Sequence, residues 1–530
     1  MMAVFDSVLP AATRGALSSG LLGLPGPPAV LRLVREAGRG RVNLYTLLAI
    51  SAARWPERSA IIDDEGVLSY RELQSTTEAL ARTLVDDGVG PGQPVGIMCR
   101  NGRNFVAAVF ATALVGADVV LVNAEFAADA LAGALEAHCV RTVLCDDEFV
   151  QLLDRTAEFV TTIDPQRLNV AGGKRPAVAR SGRIILLTSG TTGLPKGVSR
   201  TPMITGGLGV GASLLDRTKL CVGTRTAMAA PMFHSLGFGM LLLTVSLGGT
   251  VLTHRRFDAE TTLAQASLHR ADSMCAVPIM LSRILDLEPP VRDRNPLSCL
   301  RVAISSGDRL SPALARRFMD AYGEVLFNLY GSTEVGIGSL ATPSELRRFP
   351  ETVGKPVAGC PVRIYDRCGR RVGPRVTGRI FVGGGLNSEH YAGGDGKPVV
   401  SGMVGTGDMG YRDDEGRLYI VGREDDMILS GGENVYPRAL ENALSGHPDV
   451  AENAVIGVPD ERFGNRLVAF VVLRPDSGTD ARSLREYLRG RVSRFEQPRD
   501  INIVDTIPRN PAGKAVRREL SSVASVTSVR

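Results

Sequence analysis

The stretch from Leu186 to Arg200, LLTSGTTGLPKGVSR, holds six consecutive small residues, Thr188, Ser189, Gly190, Thr191, Thr192 and Gly193, followed by Pro195 and Lys196. Glycine admits backbone turns that a Cβ forbids, so several amides can point at one anion. The hydroxyls add donors, and Lys196 adds charge. Leu186 and Leu187 continue a strand into the loop, as is common for phosphate-binding loops. No Gly-Lys-Ser/Thr follows at the Walker spacing. A Ser/Thr/Gly run by itself is more often an ordinary turn. The Pro-Lys-Gly ending favours a phosphate loop.

Four other positions could do chemistry. GTGDMG, Gly405 to Gly410, matches the dinucleotide pattern G-x-G-x-x-G, but YRDDEGRLYIV follows it. That is a hairpin with a DEG turn where the dinucleotide fold needs a helix, so the pattern is rejected. What remains is Asp408, a carboxylate at a glycine-rich turn that can accept two hydrogen bonds from a vicinal diol. Glu334, in NLYGSTE, offers a hard oxygen to a hard cation, although an isolated loop carboxylate is usually just solvated. Lys514 stands in PRNPAGK near Arg517 and Arg518, where a lone lysine is by default a tail cation. His234 is one of only six histidines, and a lone histidine is usually structural.

Composition excludes several classes. The eight cysteines are scattered with no CxxC pair, so neither a metal-ligand spacing nor a disulfide framework is present, and a cytoplasmic location follows most simply. A net charge of +5 over 530 residues is too small to argue for nucleic acid. No secretory signal is visible. Ser235 to Thr253 is uncharged, but Gly248-Gly249 divides it, so it is expected to form a buried helix, a turn and a core strand, not a membrane span. Val30, Leu31, Val34 and Ala37 share a helical face while Arg32, Arg35 and Arg39 decorate the rest. This short basic amphipathic helix either packs on the protein or rests on an anionic membrane.

The elements that must position these residues follow an α/β rhythm. Asn43 is a cap-type residue before a helix that stops at Pro56, and SAIIDDEGVLSY reads as two strands joined by a turn. Phe105 to Asn123 is a helix, a Gly116 stop and a buried strand. Similar units recur through VRTVLCDD, RTAMAAPMFHS, ADSMCAVPIML and LRVAISSG, which implies mostly parallel sheets covered by helices. After about residue 350, short alternating strands with Gly and Asp turns predict a small antiparallel sheet or barrel. Beyond the charged string GREDD the α/β pattern returns at the size of a separate small domain.

In order, TSGTTGLPKG (188–197), PMFHSLG (231–237), NLYGSTE (328–334), GTGDMG (405–410), GREDDMILSGGENVYP (422–437) and PRNPAGK (508–514) resemble the adenylate-forming superfamily, which includes acyl-CoA synthetases, luciferase-type enzymes and peptide-synthetase adenylation domains. LSYRELQ (68–74) extends the likeness forward. The resemblance implies two stacked α/β subdomains plus a small β-barrel in a large domain (43–424), an N-terminal extension (1–42), and a small mobile α+β domain (425–530) hinged at Asp425. It implies Mg-ATP attack by a carboxylate to give acyl-AMP and pyrophosphate, then displacement of AMP by a thiol, usually that of coenzyme A.

By the same resemblance, Thr188 to Gly193 and Lys196 hold the β- and γ-phosphates, and Glu334 binds Mg²⁺. Thr333 and Tyr330 border the α-phosphate and adenine, with Asn328, Gly331 and Ser332 in the same nucleotide-binding motif. Asp408 takes the ribose hydroxyls, supported by Arg423. Lys514 pairs with the carboxylate and the α-phosphate as charge develops, and rotation about Asp425 later replaces it with Gly431 and Gly432 beside the pantetheine arm. The acyl pocket would include His234, Gly237, Val277, Ser305, Ser306, Gly307, Gly331 and Gly336, with His234 lining or gating it. Two departures limit this transfer. SSGDRL (305–310) replaces a small apolar Gly-Ala-Pro turn, so Asp308 and Arg309 are expected to pair or point outward, and GGGLNSEHYAGG (383–394) lacks the usual Gly-Tyr pattern.

The leading expectation is a fatty acyl-CoA ligase of medium to long chain preference. The alternatives are an aryl or other carboxylic acid ligase, and an acyl-AMP ligase that loads a carrier-protein phosphopantetheine. No extra segment between NLYGSTE and GTGDMG hinders domain rotation, which favours the ligase over the carrier-loading enzyme. A nucleotide-binding protein without catalysis would lose Glu334 or Lys514, and both are present. The expected partners are small molecules, with peripheral membrane contact through the N-terminus if the basic helix is used that way.

Overall fold

The computed structural model describes residues 10, 13–21, 42–156, 158–168, 176, 181–188, 196–200, 204–384, 390–392, 397–430, 433–460, 464–475, 477–493, 496–510, 514–517 and 519–521. Two large sheets form the bulk of the chain. The smaller has seven strands in the order His390–Ala392, Lys196–Arg200, Ile184–Thr188, Asp118–Leu121, Pro94–Met98, Thr142–Cys145 and Thr161–Ile163. Its pairings are parallel except at Lys196–Arg200, which is antiparallel to both neighbours.

The second sheet has 14 strands. Its parallel part, from Leu326–Ser332 through Val302–Ser305, Ser273–Ala276 and Arg225–Met228 to Thr250–Leu252 and Ser59–Asp63, carries the repeated α/β units. The antiparallel strands expected after residue 350 are present, and Thr352–Pro356 joins them to the parallel part as one continuous path. Between Met403–Arg412 and Leu418–Arg423 runs the hairpin that rules out a dinucleotide turn at GTGDMG.

Local sequence explains the helices. LSYRELQ is a capping box: the Ser69 hydroxyl accepts from the Glu72 amide, and Glu72 accepts from the Ser69 amide at 2.8 Å, which starts the helix Tyr70–Asp86. The helix Arg103–Leu114 is apolar on every side and buried from Phe105 to Leu114, wedged between strands of the seven-stranded sheet and the helices Tyr45–Arg54 and Tyr70–Asp86. Ser235–Ser246 is a helix and Thr250–Leu252 a strand, as the Gly248-Gly249 break predicts. No helix among the described residues is long and apolar enough to cross a membrane. The amphipathic stretch around residues 30–37 lies outside the described residues.

One cap differs from expectation. Leu44, not Asn43, occupies the N-cap of Tyr45–Arg54. The Asn43 side chain turns inward instead and donates to the Ala113 carbonyl at 2.5 Å, because a buried carbonyl at the helix end demands a partner.

After Arg423 the chain enters a second body. Val450–Asp460 and Gly464–Leu473 pair antiparallel, Asp500–Ile503 adds in parallel, and the helices Pro437–Ser445 and Ala481–Leu488 cover the sheet. These elements bury their own apolar cluster around Leu440, Leu444, Val455, Ala469 and Leu484, apart from the main core.

Candidate active site

A cavity of about 2270 Å³ opens between the 14-stranded sheet and the C-terminal body. The motif residues Asn328, Tyr330, Gly331, Ser332, Thr333 and Glu334 line it, as do Asp408, Arg423, Asp425 and Lys514. Residues distant in sequence therefore face one space. Of the expected phosphate loop, Ser189 to Gly193, like Gly431 and Gly432, lies outside the described residues, while Thr188 and Lys196 are placed at the ends of two paired strands.

The strand Leu326–Ser332 brings Tyr330 to Asp408, and its hydroxyl donates to Asp408 Oδ2 at 2.6 Å. Burial first, and the neighbouring Asp408 charge second, push the Tyr330 phenol well above its ordinary value, so it remains a donor. The Asp408 amide donates to Thr406 Oγ1 at 3.0 Å. Across the hairpin, Arg423 is the register partner of Asp408, and its Nη1 lies 3.7 Å from Asp408 Oδ1. Arg423 also donates to both oxygens of Asp425, at 2.8 and 3.0 Å. Burial raises the Asp425 carboxyl, but these bonds outweigh it and hold the group below its usual range. The hinge candidate is thus tied back to the large domain.

Gly331 is required by close approach. A Cβ there would lie 2.0 Å from the Gly336 carbonyl oxygen of the adjoining strand. Glu334 faces Lys397, whose Nζ is 3.3 Å from Glu334 Oε1 and donates to the Thr406 carbonyl at 2.8 Å. Sequence reasoning missed Lys397, since the segment around it carries no motif.

His234 caps the start of Ser235–Ser246 with extended backbone, its ring 4.5 Å from that of Phe233. Its Nε2 is buried with no hydrogen-bond partner among the described residues. Burial and then the Lys514 charge lower its pKa to about 4. The folded value lies below the ordinary 6.5, so the stability it contributes is complete above 6.5 and is lost as pH falls towards 4. His234 is therefore neutral near pH 7 and stands on the cavity wall. Rate profiles of wild type and His234→Asn should have the same shape between about pH 6 and about pH 9. An acid limb near 6.5 present in wild type and absent in the variant would contradict this assignment.

The cavity wall includes His234, Val277, Ser306, Gly307, Gly331 and Gly336, but not Gly237 or Ser305. Gly237 instead faces the Pro231 carbonyl oxygen, where a Cβ would come within 2.3 Å, and Ser305 is wholly buried in its strand. Their small size serves packing, and the pocket reading is corrected for both.

In SSGDRL both charged residues pair, chiefly with partners on the C-terminal body. The Arg309 amide donates to Asp308 Oδ1 at 2.7 Å, while its guanidinium reaches the C-terminal body at the Arg438 carbonyl (3.0 Å), Glu441 Oε2 (3.1 Å) and Ser445 Oγ (3.4 Å). Asp308 faces Arg509 at 3.7 Å, and Asp286 bridges Arg317 and Arg474 at 2.9 and 2.7 Å. Polar pairs at such a junction exchange their partners for water at low net cost. Lys514 is held on the same junction by Asn510: its amide donates to Asn510 Oδ1 at 3.0 Å, and its carbonyl accepts from the Asn510 amide at 2.9 Å.

The carboxylates Asp408 and Glu334 and the C-terminal body's Lys514 thus face one cavity. The family model of the AMP-binding enzyme matches residues 48–392, and that of the AMP-binding enzyme C-terminal domain matches residues 439–514. The chain belongs to this family of adenylate-forming enzymes. It is similar to a fatty acid–[acyl-carrier-protein] ligase of Streptomyces coeruleorubidus, with 29% identity over 90% of this chain and 96% of the relative. An indoleacetate–CoA ligase of Aromatoleum aromaticum is 32% identical over 88% of this chain and 94% of its own length. Among solved structures, o-succinylbenzoate CoA synthetase of Bacillus subtilis with its acyl-adenylate superposes with TM-score 0.80 at 29% identity, covering 89% of this chain and 97% of the other. The same enzyme with ATP and a magnesium ion gives TM-score 0.79 at 28% identity, covering 89% and 98%.

Proposed function

We propose that the protein activates an alkyl-chain carboxylic acid with Mg-ATP and transfers the acyl group to coenzyme A. The carboxylate oxygen attacks the α-phosphorus and pyrophosphate leaves. The coenzyme A sulfur then attacks the acyl carbon of the mixed anhydride, and AMP leaves with the oxygen that no uncatalysed carboxylate could surrender. Glu334 on the cavity wall offers a hard carboxylate oxygen suited to a magnesium ion, whose remaining ligands would be nucleotide oxygens and water. Magnesium would supply charge neutralisation at the phosphates. The chain's own groups then do the positioning: Asp408 and Arg423 at the ribose, Lys514 between carboxylate and α-phosphate, and Tyr330 as a permanent donor to Asp408.

The observation that carries the alkyl reading is the apolar lining of the cavity beyond His234. On the helix Ser235–Ser246, the positions Ser235, Gly239, Leu242, Leu243 and Ser246 recur at helical spacing and line the cavity, while Leu241, Thr244 and Val245 are buried behind them. Opposite stand Leu47 and Ile50 of Tyr45–Arg54 and Leu214 and Leu215 of Ile204–Thr218. None of the positions these three helices contribute to the cavity is charged. At about 1.5 Å rise per residue these lining positions span about 16 Å along the helix, a longer apolar wall than one aromatic ring requires. Gly239 has nothing within 4 Å of where a Cβ would stand, so its lack of a side chain leaves open bore and serves no packing contact.

Two observations keep other readings in view. The Aromatoleum and Bacillus relatives act on aryl acids, and the Streptomyces relative delivers its product to a carrier protein. The deciding experiment incubates the enzyme with Mg-ATP and matched alkanoic and aryl acids, with coenzyme A, with a phosphopantetheinylated carrier protein, or with neither, and identifies products by mass spectrometry. Alkyl-CoA is the expected product. Preferred turnover of aryl acids would overturn the alkyl reading, and transfer only to the carrier would overturn the acceptor. Gly239→Phe should also separate chain lengths. Displacing about three methylenes at about 0.8 kcal/mol each lowers kcat/KM for a long alkanoic acid by about 50-fold and leaves a short one unchanged. Equal losses on both would mean this apolar wall does not hold the chain.

A further inference from the structure

The sequence motifs assign Glu334 to a metal and leave Lys397 unexplained. In the structure the two form a partly buried ion pair at 3.3 Å on the cavity wall, and both side chains are about four-fifths shielded, with 20% and 16% exposure. Lys397 is not loosely placed. It also donates to the Thr406 carbonyl at 2.8 Å, two residues before Asp408, so one ammonium links the cation-binding carboxylate to the strand that carries the diol-binding one. Asp425 lies close enough for the Lys397 charge to act on it.

We propose that Lys397 is the resident counter-ion of Glu334, a positioning residue that partly takes the place of the metal at the phosphate end of the nucleotide. The physical case is one of charge. A carboxylate shielded from water is costly unless it is paired, and here the chain supplies its own partner before any nucleotide arrives. An incoming magnesium ion must share Glu334 with an ammonium at contact distance or displace it, and two cations on one carboxylate disfavour each other strongly in a partly desolvated site. Conversely, the polyanionic phosphates of ATP meet a positive group there even without metal. Lys397 therefore weakens the coupling between metal and nucleotide: ATP binds tolerably alone, and magnesium improves its binding less than it otherwise would.

This inference rests on the proposed nucleotide site, and the test separates the two. Titration calorimetry measures ATP affinity in excess EDTA and in excess Mg²⁺, and the ratio of the two dissociation constants is the readout. Lys397→Gln keeps a donor for Thr406 and removes the charge, while Lys397→Arg keeps the charge. The ratio is expected to rise about tenfold in Lys397→Gln, from weaker metal-free binding together with tighter metal binding, and to stay near wild type in Lys397→Arg. A merely structural lysine would weaken both affinities together and leave the ratio unchanged, and that result overturns the proposal. A wild-type protein that binds no ATP without metal overturns it as well. Glu334→Gln is the control for the site itself. It should abolish most of the Mg²⁺ effect, and if it does not, the assignment of the metal to Glu334 fails independently of Lys397.

Discussion

Lys514→Ala is expected to lower acyl-adenylate formation by about 10²–10³-fold, the usual cost of removing one preorganised charge donor from a developing anion. Transfer from supplied acyl-AMP to coenzyme A should remain near wild type. The split arises because Lys514 belongs to the C-terminal body, yet in this pose it lines the cavity of the large domain, close enough for its charge to act on His234 and Asp308. This pose would suit the proposed first half-reaction. Asn510 holds the Lys514 backbone through two hydrogen bonds, so truncating the side chain removes the ammonium and leaves those bonds in place. Pyrophosphate release from ATP and acid, followed separately from thioester formation, reads the two halves. Near-normal pyrophosphate release would refute the role, and equal loss of both halves would point to a folding defect.

Asp408→Ala is expected to reduce kcat/KM for ATP by about 10²–10⁴-fold. Each hydrogen bond from a ribose hydroxyl to a charged acceptor is worth about 1.5–3 kcal/mol, and the carboxylate is proposed to take two. The geometry makes this site unusually sensitive. Tyr330 already donates to one carboxylate oxygen and Arg423 approaches the other, so the group cannot swing away to find substitutes. Tyr330→Phe should cost less, about tenfold, since it removes a supporting donor and leaves the acceptor charged. Isothermal titration with AMP measures both without turnover. AMP affinity unchanged in Asp408→Ala would remove the ribose assignment, whatever the activity showed.

Both expectations were readable from the order of motifs before any fold was known, and the reason is local. NLYGSTE, GTGDMG and PRNPAGK join chemistry-bearing side chains to turn-forming glycines and prolines, so residue type and backbone need are written in the same few positions. The capping box of LSYRELQ, the Gly248-Gly249 break and the DEG hairpin are legible for the same cause: each depends on neighbours within a few residues.

What the chain alone determined, then, is the class of chemistry and the alternation of helices and strands. Tertiary structure decided everything that depends on which side of an element meets empty space. The helix Ser235–Ser246 is apolar throughout, so no periodicity could distinguish Gly237, pressed against a carbonyl, from Gly239, open to the cavity. Asn43 looked like a cap and became a buried donor, because a distant carbonyl competed for it. Asp308 and Arg309 were expected to pair or point outward, and they pair across two bodies whose docking no local pattern records. Lys397 meets Glu334 only after the antiparallel strands fold back on the parallel sheet. Short-range sterics and hydrogen bonding act between sequence neighbours, whereas cavities and ion pairs arise from the long-range packing of elements, and only the folded chain brings those groups within reach of one another.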